Sequence, residues 1–465
     1  MATPSPLTPD VLHASGLSEA DVAAWADAAP ATGSDFDADS RASRAFLERG
    51  EGLLAGLPAL PRRGERERDA ADAIAAALRD ERDRFLRAHA DRVYDAVAGD
   101  LSAPLRMEDL VERAAERFPG LVPDAAAMAA ERARPLADKE GAEIAQGQLL
   151  AHVLASPRAG AHLVWSMLRP TPAALERLDE FRAAGSLDLD GAHVRREGAT
   201  GVLELRNPRH LNAEDGRTLP VTETAVDLLL LDPEVEVCVM RGGVLDHPRY
   251  AGRRIFGAGI NLTHLYQGRI DFLFYLVRDV GYVNKIYRGL SSPEHRPGEP
   301  EDTTEKLWVA AVETYAIGGA CQLLHVMDHV IAERGARLYL PARKEGIIPG
   351  ASNLRLARAV GDRIARQAIL SGREFTAGEP DADLLCDEIV EPGEMDAAVE
   401  RRVELLTSSG LVNAAANRRA IRAGQEPLDL FRGYMATYAR EQAYCQLSPA
   451  LVRNLERHWK AHERS

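Results

Sequence analysis

Two short glycine-containing motifs constrain this chain more than any other feature of its sequence. The first is Arg254–Asn261 and the second is Ala316–Gln322. In both motifs glycines stand beside a short apolar run, a pattern typical of tight turns that approach another group closely. Together they predict two backbone N–H groups directed at one developing oxyanion. Removing one preorganised donor of this kind costs about 3–4 kcal/mol of transition-state stabilisation.

Length and charge narrow the class of protein. The chain has 465 residues, more than the roughly 250–300 at which a single core stops growing. Its formal net charge of −14 argues against nucleic-acid binding, although a local arginine cluster could still bind an anionic coenzyme. The four cysteines show no CxxC or framework spacing, no signal segment is evident, and the apolar run Phe272–Val277 is too short to cross a bilayer. We expect a soluble cytoplasmic protein with reduced thiols.

Composition divides the chain into three predicted regions. Residues 1–190 are rich in Ala, Arg, Asp and Glu, with apolar residues at helical spacing as in Glu65–Val97, and they predict a helical N-terminal domain. In residues 191–395, strand, glycine-turn and helix patterns alternate, which predicts an α/β core. Within this core the pattern of Cys321–Ile331 predicts a helix. Residues 396–465 predict a helical C-terminal region.

Five segments of the core, in order, resemble motifs of the crotonase (enoyl-CoA hydratase/isomerase) superfamily. They are Leu205–Ala213, Asp232–Met240, Phe256–Leu262, Tyr315–Gln322 and Ile348–Ala351. The resemblance implies a crotonase-like ββα spiral core, in which the backbone N–H groups of Ile260 and Gly319 form the oxyanion hole. It also implies assembly into trimers or hexamers through the C-terminal region.

The chain departs from the hydratases of that superfamily at both catalytic carboxylates. The glutamates that activate water and protonate carbon in hydratases correspond to Gln322 and Ala342 here. Neither side chain exchanges a proton at neutral pH. Water addition is therefore disfavoured, whereas enolate stabilisation remains because it needs only the backbone donors.

A narrower resemblance covers essentially the whole chain. The long helical N-terminal region, the loss of both glutamates and the extended segment Asp271–Glu305 resemble the crotonases that oxygenate (3,5-dihydroxyphenyl)acetyl-CoA in glycopeptide-antibiotic biosynthesis. This resemblance implies an oxidoreductase that uses dioxygen and the thioester as substrates, without metal or organic cofactor, and yields an aryl-glyoxylate and free coenzyme A. The carbanion formed between the ring and the thioester is electron-rich enough to reduce dioxygen directly. The protein would supply the oxyanion hole, partners for the ring hydroxyls and a dry apolar niche.

The resemblance implies further site residues. Glu214 is expected to accept a hydrogen bond or proton from a ring hydroxyl, and Arg278 to point into the acyl pocket. Gln322 is expected to hydrogen-bond substrate or peroxide, and Ile347 to line a dioxygen niche with the Ile260 side chain. Each also has a simpler interpretation, as a solvated charge or as core packing.

Charged and imidazole side chains elsewhere are weaker candidates. Arg209, Arg253 and Arg254 lie near the coenzyme-binding segments of the superfamily and are candidate phosphate partners, although exposed arginines are commonly only solvated. His325 and His329 would share one face of the predicted helix, a spacing that could hold a metal. No third ligand is close in sequence, so a packed, hydrogen-bonded pair is the preferred interpretation.

Three alternatives stay open at the level of the sequence. A crotonase-type thioesterase or isomerase acting on an aromatic acyl-CoA would turn over without dioxygen and give no keto acid. A non-catalytic crotonase-like assembly partner would bind the thioester without turnover. A metal-dependent dioxygenase built on the two histidines would lose activity on chelation.

Overall fold

The N-terminal part of the chain is helical in this computed structural model, which describes residues 9–245, 249–250, 252–293, 303–408 and 410–463. The longest helix, Glu65–Ala98, carries the predicted apolar stripe, and Ile74, Leu78 and Phe85 are buried along it. A one-sided stripe of this kind packs a helix against its neighbours, and the predicted helical region is confirmed. Its helices are α1 (Pro9–His13), α2 (Glu19–Asp27), α3 (Phe36–Ala55), α4 (Glu65–Ala98), α5 (Met107–Arg117), α6 (Ala125–Arg132), α7 (Glu143–Ala155), α8 (Pro157–Met167) and α9 (Pro172–Ala184).

The strands within the described residues form two sheets. They are β1 (Ser186–Asp188), β2 (Ala192–Glu197), β3 (Thr200–Leu205), β4 (Val237–Gly242), β5 (Leu307–Val312), β6 (Tyr315–Ile317), β7 (His329–Glu333), β8 (Arg337–Tyr339), β9 (Phe375–Thr376) and β10 (Glu388–Val390). The main sheet has the order β1-β2-β3-β4-β5-β7-β10, and the smaller one has the order β6-β8-β9. In the main sheet, β1, β2 and β3 pair antiparallel, and the following neighbours β3, β4, β5, β7 and β10 pair in parallel. Parallel pairing requires crossover connections. The predicted α/β class is confirmed.

The remaining helices cover the sheet and complete the chain. They are α10 (Thr218–Leu231), α11 (Leu262–Tyr266), α12 (Phe272–Val280), α13 (Tyr282–Arg288), α14 (Gly319–Leu324), α15 (Ala342–Glu345), α16 (Ser352–Arg366), α17 (Met395–Thr407), α18 (Leu411–Gln425), α19 (Leu428–Gln446) and α20 (Pro449–Asn454). Alternate residues of a strand point to opposite faces, so the two faces of the main sheet have different partners. Val237 and Val239 pack with Met395 of α17, whereas Cys238 and Met240 belong to the core that includes α10.

The N-terminal and C-terminal helices pack against each other as well as against the sheet. Helix α7 lies along α19, and a Cβ atom on Gly147 would be only 2.6 Å from the Ala443 Cβ, so glycine permits the close approach. One hydrophobic core extends from Phe85 to Ala461, and a smaller one covers residues 12–78. Strand β1 joins the main sheet from residue 186 onward. The division into domains at residues 190 and 395 stays a prediction.

The predicted helix Cys321–Ile331 is wrong. Helix α14 ends at Leu324, and β7 begins at His329. Strand β7 pairs in parallel with β5 on one side and with β10 on the other, so its residues are buried by distant parts of the chain. Local apolar spacing cannot distinguish such a central strand from a helix. Among the described residues, no helix has the length and apolar character needed to span a membrane.

Candidate active site

The two glycine motifs lie side by side. Gly257 forms a parallel bridge with Ala316, and the Ile317 N–H donates to the Gly257 carbonyl over 3.0 Å. Gly259 has a φ of 81°, and a Cβ atom there would lie 2.8 Å from the Ile317 oxygen and 3.2 Å from the Gly319 nitrogen. Only glycine suits this position, because the backbone is left-handed and the second motif leaves no room for a side chain.

The backbone N–H groups of Ile260 and Gly319 are both free to donate. The Glu214 N–H donates to the Gly259 carbonyl (2.7 Å) and the Asn261 N–H donates to the Glu214 carbonyl (2.8 Å), which holds the peptide between them in place. Gly319 is the first residue of α14, where a helical N–H has no intrahelical acceptor. Neither N–H finds an acceptor within the described part of the chain. The arrangement suits the predicted oxyanion hole, and the catalytic role of the two donors stays a prediction.

Arg278 on α12 gathers the other polar residues of the site. The side chain is buried, and its Nε donates to both carboxylate oxygens of Glu214 over 2.9 and 3.0 Å. Its Nη1 donates to Asp279 Oδ1 (2.8 Å) and to Gln322 Oε1 (3.0 Å). The Tyr282 hydroxyl also donates to Glu214. We call these five residues, Glu214, Arg278, Asp279, Tyr282 and Gln322, the Arg278 cluster.

The Arg278 cluster is attached directly to the second glycine motif. Nη2 of Arg278 donates to the Gly319 carbonyl over 2.7 Å. A Cβ atom on Gly319 would collide with the Glu214 carboxylate, and one on Gly350 would collide with Asp279 and lie 2.5 Å from Gln322 Oε1. The absence of side chains at Gly319 and Gly350 therefore allows the cluster to pack directly against the backbone of the oxyanion motif.

The charges in the Arg278 cluster depend on one another. Burial opposes the charge on Arg278, but Glu214, Tyr282 and Asp279 together outweigh burial and hold the pKa of the guanidinium well above its usual value. Burial raises the pKa of Asp279, while Arg278 acts in the opposite direction. Burial, reinforced by Glu214, also raises the pKa of Tyr282 well above its usual range, so the phenol stays a donor.

A small cavity of about 30 Å³ lies between the cluster and the oxyanion motifs. This is close to the share of liquid volume of one water molecule, roughly 30 Å³. The space therefore suits a diatomic molecule or a water, and an aryl-acetyl group could enter only if side chains moved. Its lining brings together six of the predicted site residues: Glu214, Ile260, Arg278, Gly319, Gln322 and Ile347.

A carboxylate that the sequence interpretation missed also lines this cavity. Ala342, where hydratases have glutamate, is the first residue of α15, and Glu345 lies one turn later on the same helix. Residues three apart share a helix face, so the i,i+3 spacing was a signal that could have identified Glu345. Burial raises the pKa of its carboxyl to about 7. We call residues 341–349, which carry Ala342, Glu345 and Ile347, the α15 segment.

Other cavity residues were also missed. Asp279, which lines the cavity, was not identified from the sequence. Neither was Tyr282 of the Arg278 cluster, although it follows Arg278 by four residues. Tyr275 and Tyr438 line the cavity from α12 and α19. The contribution from α19 had no local signal, because more than a hundred residues separate it from the glycine motifs.

The candidate phosphate partners lie outside this cavity. Arg253 Nη2 forms an ion pair with Glu333 (2.8 Å), and Arg254 Nη1 forms one with Glu204 (2.7 Å). Arg209 is exposed, with no hydrogen bond or ion pair among the described residues. Contacts of these arginines with coenzyme A stay a prediction.

The two histidines do not share a helix face, which corrects the predicted arrangement. His325 follows α14 and its Nδ1 is hydrogen-bonded to Ser352 Oγ at 3.0 Å, whereas His329 lies on β7 with its Nδ1 3.6 Å from Asp387. Burial and then Arg355 lower the pKa of His325 to about 3, so this imidazole is neutral. No group of three or more His, Cys, Asp or Glu side chains in the described ranges could hold a metal ion.

Comparison with known proteins identifies relatives of the chain. The sequence profile of the enoyl-CoA hydratase/isomerase family matches residues 301–434. The (3,5-dihydroxyphenyl)acetyl-CoA 1,2-dioxygenase of Amycolatopsis orientalis is 47% identical over 406 residues, which are 87% of this chain and 92% of that enzyme. The short-chain-enoyl-CoA hydratase of Clostridium acetobutylicum is 27% identical over 243 residues, or 52% of this chain and 84% of the hydratase.

Similar solved structures cover part of this chain. The crystal structure of an enoyl-CoA hydratase from Mycobacterium avium subsp. paratuberculosis K-10 superimposes with a TM-score of 0.47 and 22% identity, covering 59% of this chain and 97% of that one. The resemblance predicted from the five motifs is confirmed by the profile and by the identity to the Amycolatopsis enzyme, which spans most of both chains. The chain belongs to the crotonase, or enoyl-CoA hydratase/isomerase, family.

Proposed function

We propose that this protein is a dioxygenase that converts (3,5-dihydroxyphenyl)acetyl-CoA and dioxygen to (3,5-dihydroxyphenyl)glyoxylate and free coenzyme A. The observation that carries the proposal is the 47% identity to a dioxygenase of this name over 92% of its length. Because the match covers 87% of this chain, it includes most of the helical N-terminal region, whereas the hydratase relatives cover about half of this chain.

The residues of the site support the same chemistry. Gln322 and Ala342 replace both carboxylates that a hydratase needs, while the N–H groups of Ile260 and Gly319 are retained. Enolate formation needs the donors and not the two glutamates. A small cavity beside Ile260 and Ile347 has the size of a dioxygen niche.

The Arg278 cluster suits recognition of a dihydroxyphenyl ring. A ring hydroxyl could donate to the Glu214 carboxylate or replace the Tyr282 hydroxyl that now donates to it. Arg278 would hold that carboxylate in place, and Gln322 would offer its amide to the substrate. Arg209, Arg253 and Arg254 are proposed to meet the coenzyme phosphates, which requires the last two to exchange their present glutamate partners.

We propose that the reaction needs no metal or organic cofactor, because the carbanion itself can donate electrons to dioxygen. We also propose a homo-oligomer, a trimer or hexamer, in the cytoplasm. Exposed apolar residues on the C-terminal helices, Leu405, Val412, Ile421 and Leu430, support association through this region. The four cysteines are unpaired, as expected in a reducing compartment. Light scattering of the purified protein tests the oligomeric state.

The decisive experiment measures oxygen uptake and thiol release in parallel, using metal-stripped protein and (3,5-dihydroxyphenyl)acetyl-CoA. We expect one dioxygen consumed for each coenzyme A and each keto acid formed, with no effect of chelator. Thiol release without oxygen uptake would instead identify a thioesterase. Binding of the thioester with neither oxygen uptake nor thiol release would identify a non-catalytic partner.

A further inference from the structure

Glu345 is the one cavity carboxylate without a cation. Within the described residues its side chain makes no hydrogen bond and no ion pair, although it lines the same cavity as Ile260, Gly319 and Ile347. Glu214 and Asp279 are different, because Arg278 donates to both of them. A carboxylate without an ion-pair partner can accept a proton without losing an attraction to a cation. Glu345 meets this condition, whereas Glu214 and Asp279 do not.

Glu345 lies three residues after Ala342, the position at which hydratases have a catalytic glutamate. Ala342 puts no polar group on its face at the start of α15, and Glu345 follows on the same face. Gly346 follows with a φ of 87° and ends the helix. The cavity thus keeps a carboxylate on this side, displaced by one turn.

We propose that Glu345 is the catalytic base that removes the α-proton of the bound thioester, an inference that rests on the proposed dioxygenase function. The Cα–H bond breaks, the proton passes to the Glu345 carboxylate, and the electron pair moves into the thioester to give an enolate. The enolate oxygen accepts hydrogen bonds from the N–H groups of Ile260 and Gly319.

The same carboxyl group can complete the proton balance of the reaction. Dioxygen takes up the electron pair at Cα, and the distal oxygen of the resulting peroxide displaces coenzyme A from the carbonyl carbon. The protonated Glu345 then returns its proton to the thiolate. As a carboxylate again, it removes the second α-proton while the O–O bond breaks, which leaves the α-keto acid and one proton for solvent.

The acid strength of Glu345 agrees with this double role. Burial alone raises the pKa of its carboxyl to about 7, so the acid and its conjugate base are both populated near neutral pH. Tyr275 and Tyr339 are in electrostatic contact with it, and burial raises the pKa of both phenols, so neither titrates nearby. Two segments pack on α15. Residues 367–371 have no titratable side chain. The charged residues of segment 449–459 do not contribute to the pKa shift of Glu345; these are Arg453, Glu456, Arg457 and His458.

The test measures α-proton exchange separately from oxygenation. Protein is mixed with (3,5-dihydroxyphenyl)acetyl-CoA in D2O without oxygen, and loss of the α-proton signal is followed by NMR. Glu345→Gln should slow exchange, and aerobic oxygen uptake, by about 10²–10⁴-fold, the usual contribution of a general base. The anaerobic dissociation constant of the thioester should change only slightly. Glu379→Gln, the same substitution at an exposed site, is the matched control and should behave as the unmodified protein.

A second variant guards against a purely structural effect. Glu345→Ala removes the carboxylate and leaves a space, so added formate should restore exchange in proportion to its concentration. The unmodified protein should exchange faster as pH rises through about 7, and Glu345→Gln should lose this dependence. If the unmodified protein consumes oxygen but Glu345→Gln exchanges the α-proton at the same rate as the unmodified protein, this inference alone is overturned. Unmodified protein that consumes no oxygen would overturn the proposed function and this inference with it.

Discussion

The Arg278 cluster and the α15 segment both contribute residues to one cavity, but their carboxylates differ in whether they have a cationic partner. In the cluster, Glu214 and Asp279 share one buried guanidinium, which donates hydrogen bonds to both. In the α15 segment, the Glu345 side chain has no ion-pair partner among the described residues, and burial raises the pKa of its carboxyl to about 7. Different environments of this kind give chemically identical groups different tasks. The paired carboxylates suit recognition of the ring, and the unpaired one suits proton transfer.

Arg278→Met should have the largest effect, because it removes the difference between the two regions. Buried Asp279 and partly buried Glu214 would lose their cation, and breaking a buried pair in this way costs about 3–5 kcal/mol. We expect a loss of that size in the free energy of unfolding by urea denaturation, with no measurable oxygenase activity. Arg343→Met, at an exposed residue of α15, should stay within about 0.5 kcal/mol of the unmodified protein. Equal stability of the two variants would mean that Arg278 does not stabilise the cluster.

Gly319→Ala should separate the Arg278 cluster from the oxyanion donors. The added methyl group would collide with Glu214 and lie 3.2 Å from Arg278 Nη2, so either the carboxylate or the donor must shift. The turnover number should fall by about 10²–10³-fold, as when one oxyanion donor is lost. Gly424→Ala in α18, where a Cβ meets no atom within 4 Å, is the control and should keep full activity. An unaffected turnover number in Gly319→Ala would refute the assignment of this donor.

Glu345→Gln should stabilise the protein at alkaline pH while it lowers activity. A carboxyl whose pKa rises from 4.5 to about 7 on folding weakens the native state as pH increases through that interval. The penalty is absent below pH 4.5 and reaches at most about 3 kcal/mol above pH 7, less any screening by solvent. Urea denaturation at pH 5 and pH 8 should show the variant gaining clearly more stability at the higher pH. A gain equal at both values would argue against a raised pKa.

Ile260→Val should have the smallest effect and tests the apolar part of the cavity. The backbone donor is kept and one methylene is lost, so thioester binding should be unchanged. If the side chain walls a dioxygen niche, the KM for oxygen should change by about threefold to tenfold. Ile331→Val, a buried site on β7 outside the cavity, should leave the KM for oxygen as it was. No difference between the two variants would remove the niche from the mechanism.

Sequence alone determined the family and predicted the oxyanion motifs and the loss of the hydratase carboxylates. These features are local, because a left-handed glycine such as Gly259 and a substitution such as Ala342 can be recognised within a few residues of chain. The α/β alternation and the helical stripe of α4 were equally local. The proposed chemistry could therefore be predicted from short segments and from their order along the chain.

Only the tertiary structure decided which of these residues act together. Arg278 meets Glu214 and Gln322 across 64 and 44 residues of sequence, and α19 adds Tyr438 from farther away. The predicted helix over Cys321–Ile331 failed for the same reason, since pairing of β7 with two distant strands overrode the local pattern. Whether a carboxylate is a paired recognition group or an unpaired base depends on burial and on nearby charges, and both are set by how distant segments pack.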